Sequence, residues 1–149
     1  MLRKALSTLF SFIGFMTATA QHHVHWKTHG SNYKIELWAR IDKGWYLYSQ
    51  DQPRGATAVP TRITFKSIFS NDAFVAFDGK PEERGMMKTI RGTVNERAWQ
   101  YGNWVDFVQD IRMLRKIRTN ILCTVTYQVC SNTERLPPDT VSFEIRVGN

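Results

Sequence analysis

The chemistry available to this chain centres on Cys130, which closes the stretch Thr124-Val125-Thr126-Tyr127-Gln128-Val129-Cys130; five residues later Arg135-Leu136-Pro137-Pro138 follows. A cysteine does chemistry as a thiolate, and exchange of a dithiol needs a second thiol close by to resolve the mixed disulfide. The only other thiol is Cys123. Read as one continuous strand, the intervening residues separate the two backbones by roughly 23 Å, against the ~7 Å a disulfide tolerates. Alternation puts Ile121, Cys123, Val125, Tyr127 and Val129 on one face and Leu122, Thr124, Thr126, Gln128 and Cys130 on the other. Cys123 thus reads as a small buried hydrophobe. Cys130 reads as a thiol at a strand's end, on the more polar face, where solvent or a partner reaches it.

Arg135 bears on Cys130 electrostatically. If its fixed positive charge folds back over the short loop, it favours the thiolate and lowers the thiol pKa below the ~8.5 of free cysteine. Two roles stay open for such a lone cysteine. One is a mixed disulfide with a small thiol or a partner, resolved from outside. The other is a relic on a scaffold used for binding. Trp45, Tyr46, Tyr48 and Tyr127 likewise divide between the core and a contact patch around Cys130. Near the amino terminus, Gln21-His22-His23 would hold Cu(II) or Ni(II) if a free amine preceded it, with His25 close by. Histidines at frayed termini are as often incidental. No four-ligand set suits a structural zinc, so neither metal nor cofactor is assigned. Neither a Ser-His-Asp order nor a paired-carboxylate motif nor a phosphate loop supports a hydrolase or nucleotide-binding reading.

The elements that position these residues are strands. Tyr33, Ile35, Leu37, Ala39 and Ile41 alternate with polar or larger neighbours, and the same period recurs in Ile63/Phe65, Val105/Phe107/Gln109/Ile111 and Val141/Phe143/Ile145/Val147. Asp42-Lys43-Gly44, Gln52-Pro53-Arg54-Gly55, Asn71-Asp72 and Asp78-Gly79 punctuate them. No segment of helical length shows a helical period. The expectation is an all-β fold, an antiparallel β-sandwich burying Ile35, Leu37, Phe65, Phe107, Val125, Tyr127 and Phe143.

Ahead of this domain, Met1-Leu2-Arg3-Lys4 is a basic start, Ala5 to Thr17 an apolar run, and Ala18-Thr19-Ala20 a cleavage signal. Residues 1–20 are expected to be a signal peptide, leaving 21–149 as one domain, periplasmic or secreted, with no membrane span after cleavage. Of the formal charge of +7, Arg3 and Lys4 supply two, so the mature domain carries +5. The cluster Arg112, Arg115, Lys116 and Arg118 is expected in a hairpin turn, without a nucleic-acid motif around it.

The Thr-Val-Thr-Tyr-Gln strand, the cysteine and the Pro-Pro restart resemble the active-site hairpin of the amino-terminal periplasmic domain of the thiol:disulfide interchange protein DsbD. Asp42-Lys43-Gly44-Trp45-Tyr46-Leu47-Tyr48-Ser49, Val59-Pro60-Thr61, Gly79-Lys80-Pro81 and Phe107-Val108-Gln109 agree with that family in order and spacing. The resemblance implies an immunoglobulin-like sandwich that passes electrons in the periplasm between a thioredoxin-like donor and client oxidoreductases. It also implies that Cys130 is the first active cysteine, and that Arg135 stands where the family has the second. Thr89-Ile90-Arg91-Gly92 aligns with the family's cap loop and keeps only the glycine. Whether the chain is an enzyme stays open: it is a thiol:disulfide interchange-related or protein-binding module unfit as a dithiol relay, or else a pure interaction sandwich without redox chemistry.

Overall fold

The computed structural model describes residues 23–68, 74–91 and 97–149; the expected leader, His22, Asn71-Asp72 and Gly92 lie outside them. Among the described residues nine strands run in the order β1 (Val24–Gly30), β2 (Lys34–Ile41), β3 (Tyr46–Tyr48), β4 (Arg62–Ser67), β5 (Val75–Arg91), β6 (Arg97–Met113), β7 (Thr119–Tyr127), β8 (Val129–Cys130) and β9 (Asp139–Val147). All pairings are antiparallel. One sheet has the order β1-β2-β6-β3-β8, with β5 on the other flank of β6; the second has the order β4-β7-β9. This is an immunoglobulin-like β-sandwich.

The long strand β6 is the spine of the larger sheet. Along one edge it pairs with β5, and its other edge is shared, β2 taking Trp104 to Asp110 and β3 taking Gln100 and Tyr101. Alternation sends Val105, Phe107, Gln109 and Ile111 inward, all buried. Gln109 is the polar member of that row, and its amide Nε2 donates to the carbonyls of Asp78 (3.0 Å), Gly79 (3.3 Å) and Asp110 (2.9 Å). These bonds hold β5 where it bulges between Asp78 and Glu82, with Gly79 at φ 68°. Asp78-Gly79 therefore bends a strand where the sequence pattern suggested its end, because a bulge needs the same left-handed residue as a turn.

Ile35, Leu37, Phe107, Val125 and Tyr127 are fully buried as the alternation demands, and Phe65 and Phe143 pack half-buried against the same core. Tyr33 departs from its row. It precedes β2 and stands 66% exposed, because the period begins only where the ladder does. The basic cluster departs too. Arg112 lies within β6 and binds both carboxylate oxygens of Asp78. The segment after it crosses from one sheet to the other, since β6 and β7 do not pair.

The largest revision concerns the strand that carries both cysteines. β7 ends at Tyr127 in the smaller sheet, and Val129–Cys130 joins β3 in the larger one. The switch turns on Gln128, which is buried. Its Oε1 accepts from the Val59 amide at 2.9 Å and its Nε2 donates to the Leu136 carbonyl at 3.0 Å. Cys123 and Cys130 are both free thiols, in separate clusters of buried side chains. The change of sheet adds to the length of strand between them in keeping them apart.

The two sheets come close together where β1 meets β9. A Cβ on Gly30 would press on the Arg146 carbonyl oxygen and lie 2.9 Å from Ile145 Cγ2. Backbone cannot yield as a side chain does. Gly30→Ala is expected to lower the unfolding free energy by about 1–3 kcal/mol, seen as a lower urea midpoint at unchanged slope.

Candidate functional site around Cys130

Across β3 and β8, Tyr46 is the register partner of Cys130, and Leu47 that of Val129. Leu47 and Val129 face the main core, so alternation turns Tyr46, Tyr48 and Cys130 to the opposite face, where Ala58 and Ala98 join them in a small second cluster. Cys130 is 8% exposed. The expectation of a thiol open to solvent fails because the loop carrying Thr57 and Ala58 folds over that face.

Beyond Cys130 the chain turns back at once. Ser131 N donates to the Glu134 carbonyl at 2.8 Å and Leu136 N to the Val129 carbonyl at 3.1 Å, and Ser131 Oγ accepts from the amides of Thr133 and Glu134. These bonds frame Cys130 and Arg135 as directly opposed residues of an antiparallel bridge. They form a non-hydrogen-bonded pair, the kind whose side chains lie closest.

Arg135 is the clasp of the site. Its Nε donates to Tyr48 Oη at 3.0 Å, its Nη1 to Thr57 Oγ1 at 2.7 Å, and its guanidinium lies over the Tyr48 ring at 5.5 Å. The Tyr48 hydroxyl lies beside the Cys130 sulfur in the same buried cluster, where it favours the thiolate. The thiol donates to Gln100 Oε1 at 3.5 Å. A chain of polar contacts therefore runs from Arg135 through Tyr48 and Cys130 to Gln100.

Further back, Glu83 anchors the start of the covering loop, accepting from Ser49 Oγ (2.7 Å), the Gln50 amide (2.6 Å) and Tyr101 Oη (2.7 Å). Gln52 extends the sheet by its side chain, accepting from Trp99 N at 3.1 Å and donating to Trp99 O at 2.8 Å. Gln100, Thr57, Glu83 and Gln52 carry no sequence signal of a site. Only their tertiary neighbours give them a role.

Burial decides the state of the thiol. Desolvation pushes the Cys130 pKa up, and the Tyr48 hydroxyl and the Arg135 charge recover only part of that rise. Arg135 is exposed, so water screens its charge. The expected depression below ordinary cysteine is thereby corrected: Arg135 does reach over the site, but the buried thiol stays protonated. Tyr48 is pushed up to about 12 by burial first and then by its neighbour Cys130.

Two of the other candidate residues sit elsewhere. Tyr127 is fully buried in the main core, edge-on to Trp26 at 5.4 Å. Trp45 stacks on His23 at 3.7 Å and packs against the main core. Cys130, Arg135, Tyr46 and Tyr48 are brought together; Tyr127 and Trp45 are not. In the region aligned with the cap loop, Thr89 pairs with Trp99 in the β5–β6 hairpin. His23 and His25 both approach Asp42, at 3.8 and 2.9 Å, and no group of three metal-ligating side chains occurs among the described residues.

Neither a protein-family model nor a curated protein matches the chain. Solved structures do. The reduced amino-terminal domain of DsbD from Neisseria meningitidis superposes with a TM-score of 0.58 at 15% identity, over 87% of this chain and 89% of that one. The fold is that of the DsbD amino-terminal domain. The amino-terminal periplasmic domain of ScsB from Proteus mirabilis gives 0.55 at 14% identity, over 89% of this chain and 49% of that one. A complex of the DsbD and PilB amino-terminal domains from Neisseria meningitidis gives 0.53 at 16%, over 85% of each chain.

Two outcomes follow for the thiols. Alkylation of Cys130 followed against pH should show a midpoint above the ~8.5 of free cysteine, and Tyr48→Phe or Arg135→Ala should move it further up. A midpoint at or below that value would contradict the burial argument. Cys123 and Tyr127 are both pushed up to about 12 by burial. Folded protein thus keeps protons that unfolded chain releases, so their contribution is complete below about pH 9 and is lost as pH rises toward 12. Urea midpoints should fall across that window, and Cys123→Ala should make the fall shallower.

Proposed function

We propose that this chain is an exported protein-binding module of the DsbD amino-terminal type, associated with thiol:disulfide interchange but unable to relay a pair of electrons by itself. The observation that carries this reading is the bridge between Cys130 and Arg135. In a dithiol relay the first thiolate attacks and a neighbouring thiol resolves the mixed disulfide. Here the residue directly opposite Cys130 is an arginine, which has no such chemistry. The remaining thiol is covered and protonated, so it is a poor nucleophile near neutral pH.

What the site offers instead is a held surface. Tyr46, with Lys88 Nζ over its ring at 5.7 Å, flanks the covering loop, and Arg135 fixes that loop's position. Aromatic and arginine side chains held rigidly are the common anchors of protein interfaces. The partner proposed is a thioredoxin-like or other periplasmic protein, and the complexed DsbD–PilB neighbour supports this choice. Export rests on the leader-like residues 1–20, and no helix among the described residues is long and apolar enough to cross a membrane. The reading invokes neither cofactor nor metal, and nucleic acid is not among the proposed partners.

A second reading is favoured by the Tyr48 hydroxyl at the sulfur. Once the loop opens, that hydroxyl and the Arg135 charge both support a thiolate. The thiolate would attack a partner's disulfide, bond to one sulfur and release the other as a thiolate, leaving resolution to a thiol from outside.

The two readings separate by experiment. Under the binding reading, Cys130→Ser leaves capture of a periplasmic thioredoxin-like partner unchanged; under the second, it abolishes a covalent complex resolvable by reductant. Arg135→Cys tests the framework itself. A non-hydrogen-bonded pair has Cα atoms about 4.5 Å apart, inside the ~4.4–6.8 Å span of disulfides. The variant should form an internal disulfide on oxidation, gain about 2 kcal/mol over its reduced form, and accept electrons from a thioredoxin-like donor. Cys123 should stay the one free thiol; three free thiols after oxidation would refute the bridge geometry.

A further inference from the structure

Along one side of the sandwich the two sheets do not meet edge to edge. β4 is the edge of the smaller sheet and the first part of β5 an edge of the larger one. Between them opens a cleft of about 520 Å³ whose lining includes Arg62, Ile63, Phe65, Phe77, Lys80 and Gln109. Small-ligand sites commonly measure ~300–1,000 Å³ and combine an apolar lining with a few placed polar groups.

Each kind of group is present. Phe65 and Phe77, from opposite sheets, stack at 5.3 Å with their planes 14° apart. Gln109 is 1% exposed and spends its Nε2 on three backbone carbonyls, while its Oε1 accepts no hydrogen bond among the described residues. An acceptor so placed calls for a donor. Among the described residues, the charged ones that line the cleft are Arg62 and Lys80, both cationic. Lys80 holds the exposed Asp51, and Arg62 makes no ion pair among the described residues.

We propose that this cleft binds an apolar amino-acid side chain carrying an amide N–H and a carboxylate. That chemistry is shared by an N-acylated apolar amino acid and by the carboxyl terminus of an apolar peptide. The apolar group packs on Phe65 and Phe77, the N–H donates to Gln109 Oε1, and the carboxylate meets Arg62 with Lys80 beside it. Cys130 belongs to a different cluster, with Tyr46, Tyr48, Ala58 and Ala98, so this site stands or falls independently of the thiol.

The test is an amide-resolved NMR titration of the folded chain with three probes. N-acetyl-L-phenylalanine has all three features, N-acetyl-L-phenylalaninamide lacks the charge, and 3-phenylpropanoate lacks the N–H. The acid should perturb Phe65, Phe77 and Gln109 and bind about tenfold more tightly than the amide, with 3-phenylpropanoate weaker than the acid. Arg62→Ala, an exposed change that leaves the fold intact, should bring the acid-to-amide ratio toward one. Binding of Ala-Ala-Phe with a free carboxylate also supports the site; if it is tighter than the acetylated amino acid, the natural source is a peptide terminus, and if not, a free acid. Perturbations confined to other surfaces, equal binding of acid and amide, or a ratio that survives both Arg62→Ala and Lys80→Ala would overturn the proposal.

Discussion

The arrangement depends on one buried amide. Gln128 sits where the chain leaves the smaller sheet for the larger, and its side chain binds the Val59 amide and the Leu136 carbonyl. A buried polar group of this kind stabilises the fold only when both ends are satisfied. Those two contacts come from the covering loop and from the segment after the turn. The same residue thus sets where the strand breaks, where the loop lies, and which face Cys130 takes. Replacing it with an apolar side chain would leave a buried donor and a buried acceptor without partners, at about 1–3 kcal/mol each.

The competition at Cys130 shows how local charge is overruled by burial. An arginine directly opposite a thiol suggests an acidic, reactive cysteine. The guanidinium, however, is spread over Tyr48 and Thr57 and faces water, whereas the sulfur is enclosed by Tyr46, Tyr48, Ala58 and Ala98. Removing a thiolate from water outweighs a screened charge, and the thiol keeps its proton. In this setting Arg135 works as a mechanical tie more than as an electrostatic activator.

How much of this was readable in advance follows from how each strand is buried. β2, β7 and the stretch of β6 from Val105 to Ile111 have one face on the core, so hydrophobic alternation announced them. β5 is different. Its stretch from Glu82 to Thr89 is mostly exposed on an edge paired only with β6, so Glu82-Glu83-Arg84 left no period to read. Motif order along the chain pointed to the right fold. The break at Gln128 could not be seen, because Val129 and Cys130 continue the parity of β7 while joining another sheet. The covering loop was equally hidden, since its anchors, Glu83, Gln52 and Thr57, act through contacts distant in sequence.

The clasp made by Arg135 also changes what a reactive thiol would mean here. Any reagent reaching the sulfur must first part Arg135 from Thr57 and Tyr48 and lift the loop that holds Ala58. Such local openings have their own free energies, separate from global unfolding. At a given pH the speed at which Cys130 is modified is therefore set by how often the clasp releases. The cysteine becomes a built-in gauge of loop motion, and whatever seats itself on that loop would register as protection of a sulfur it never touches.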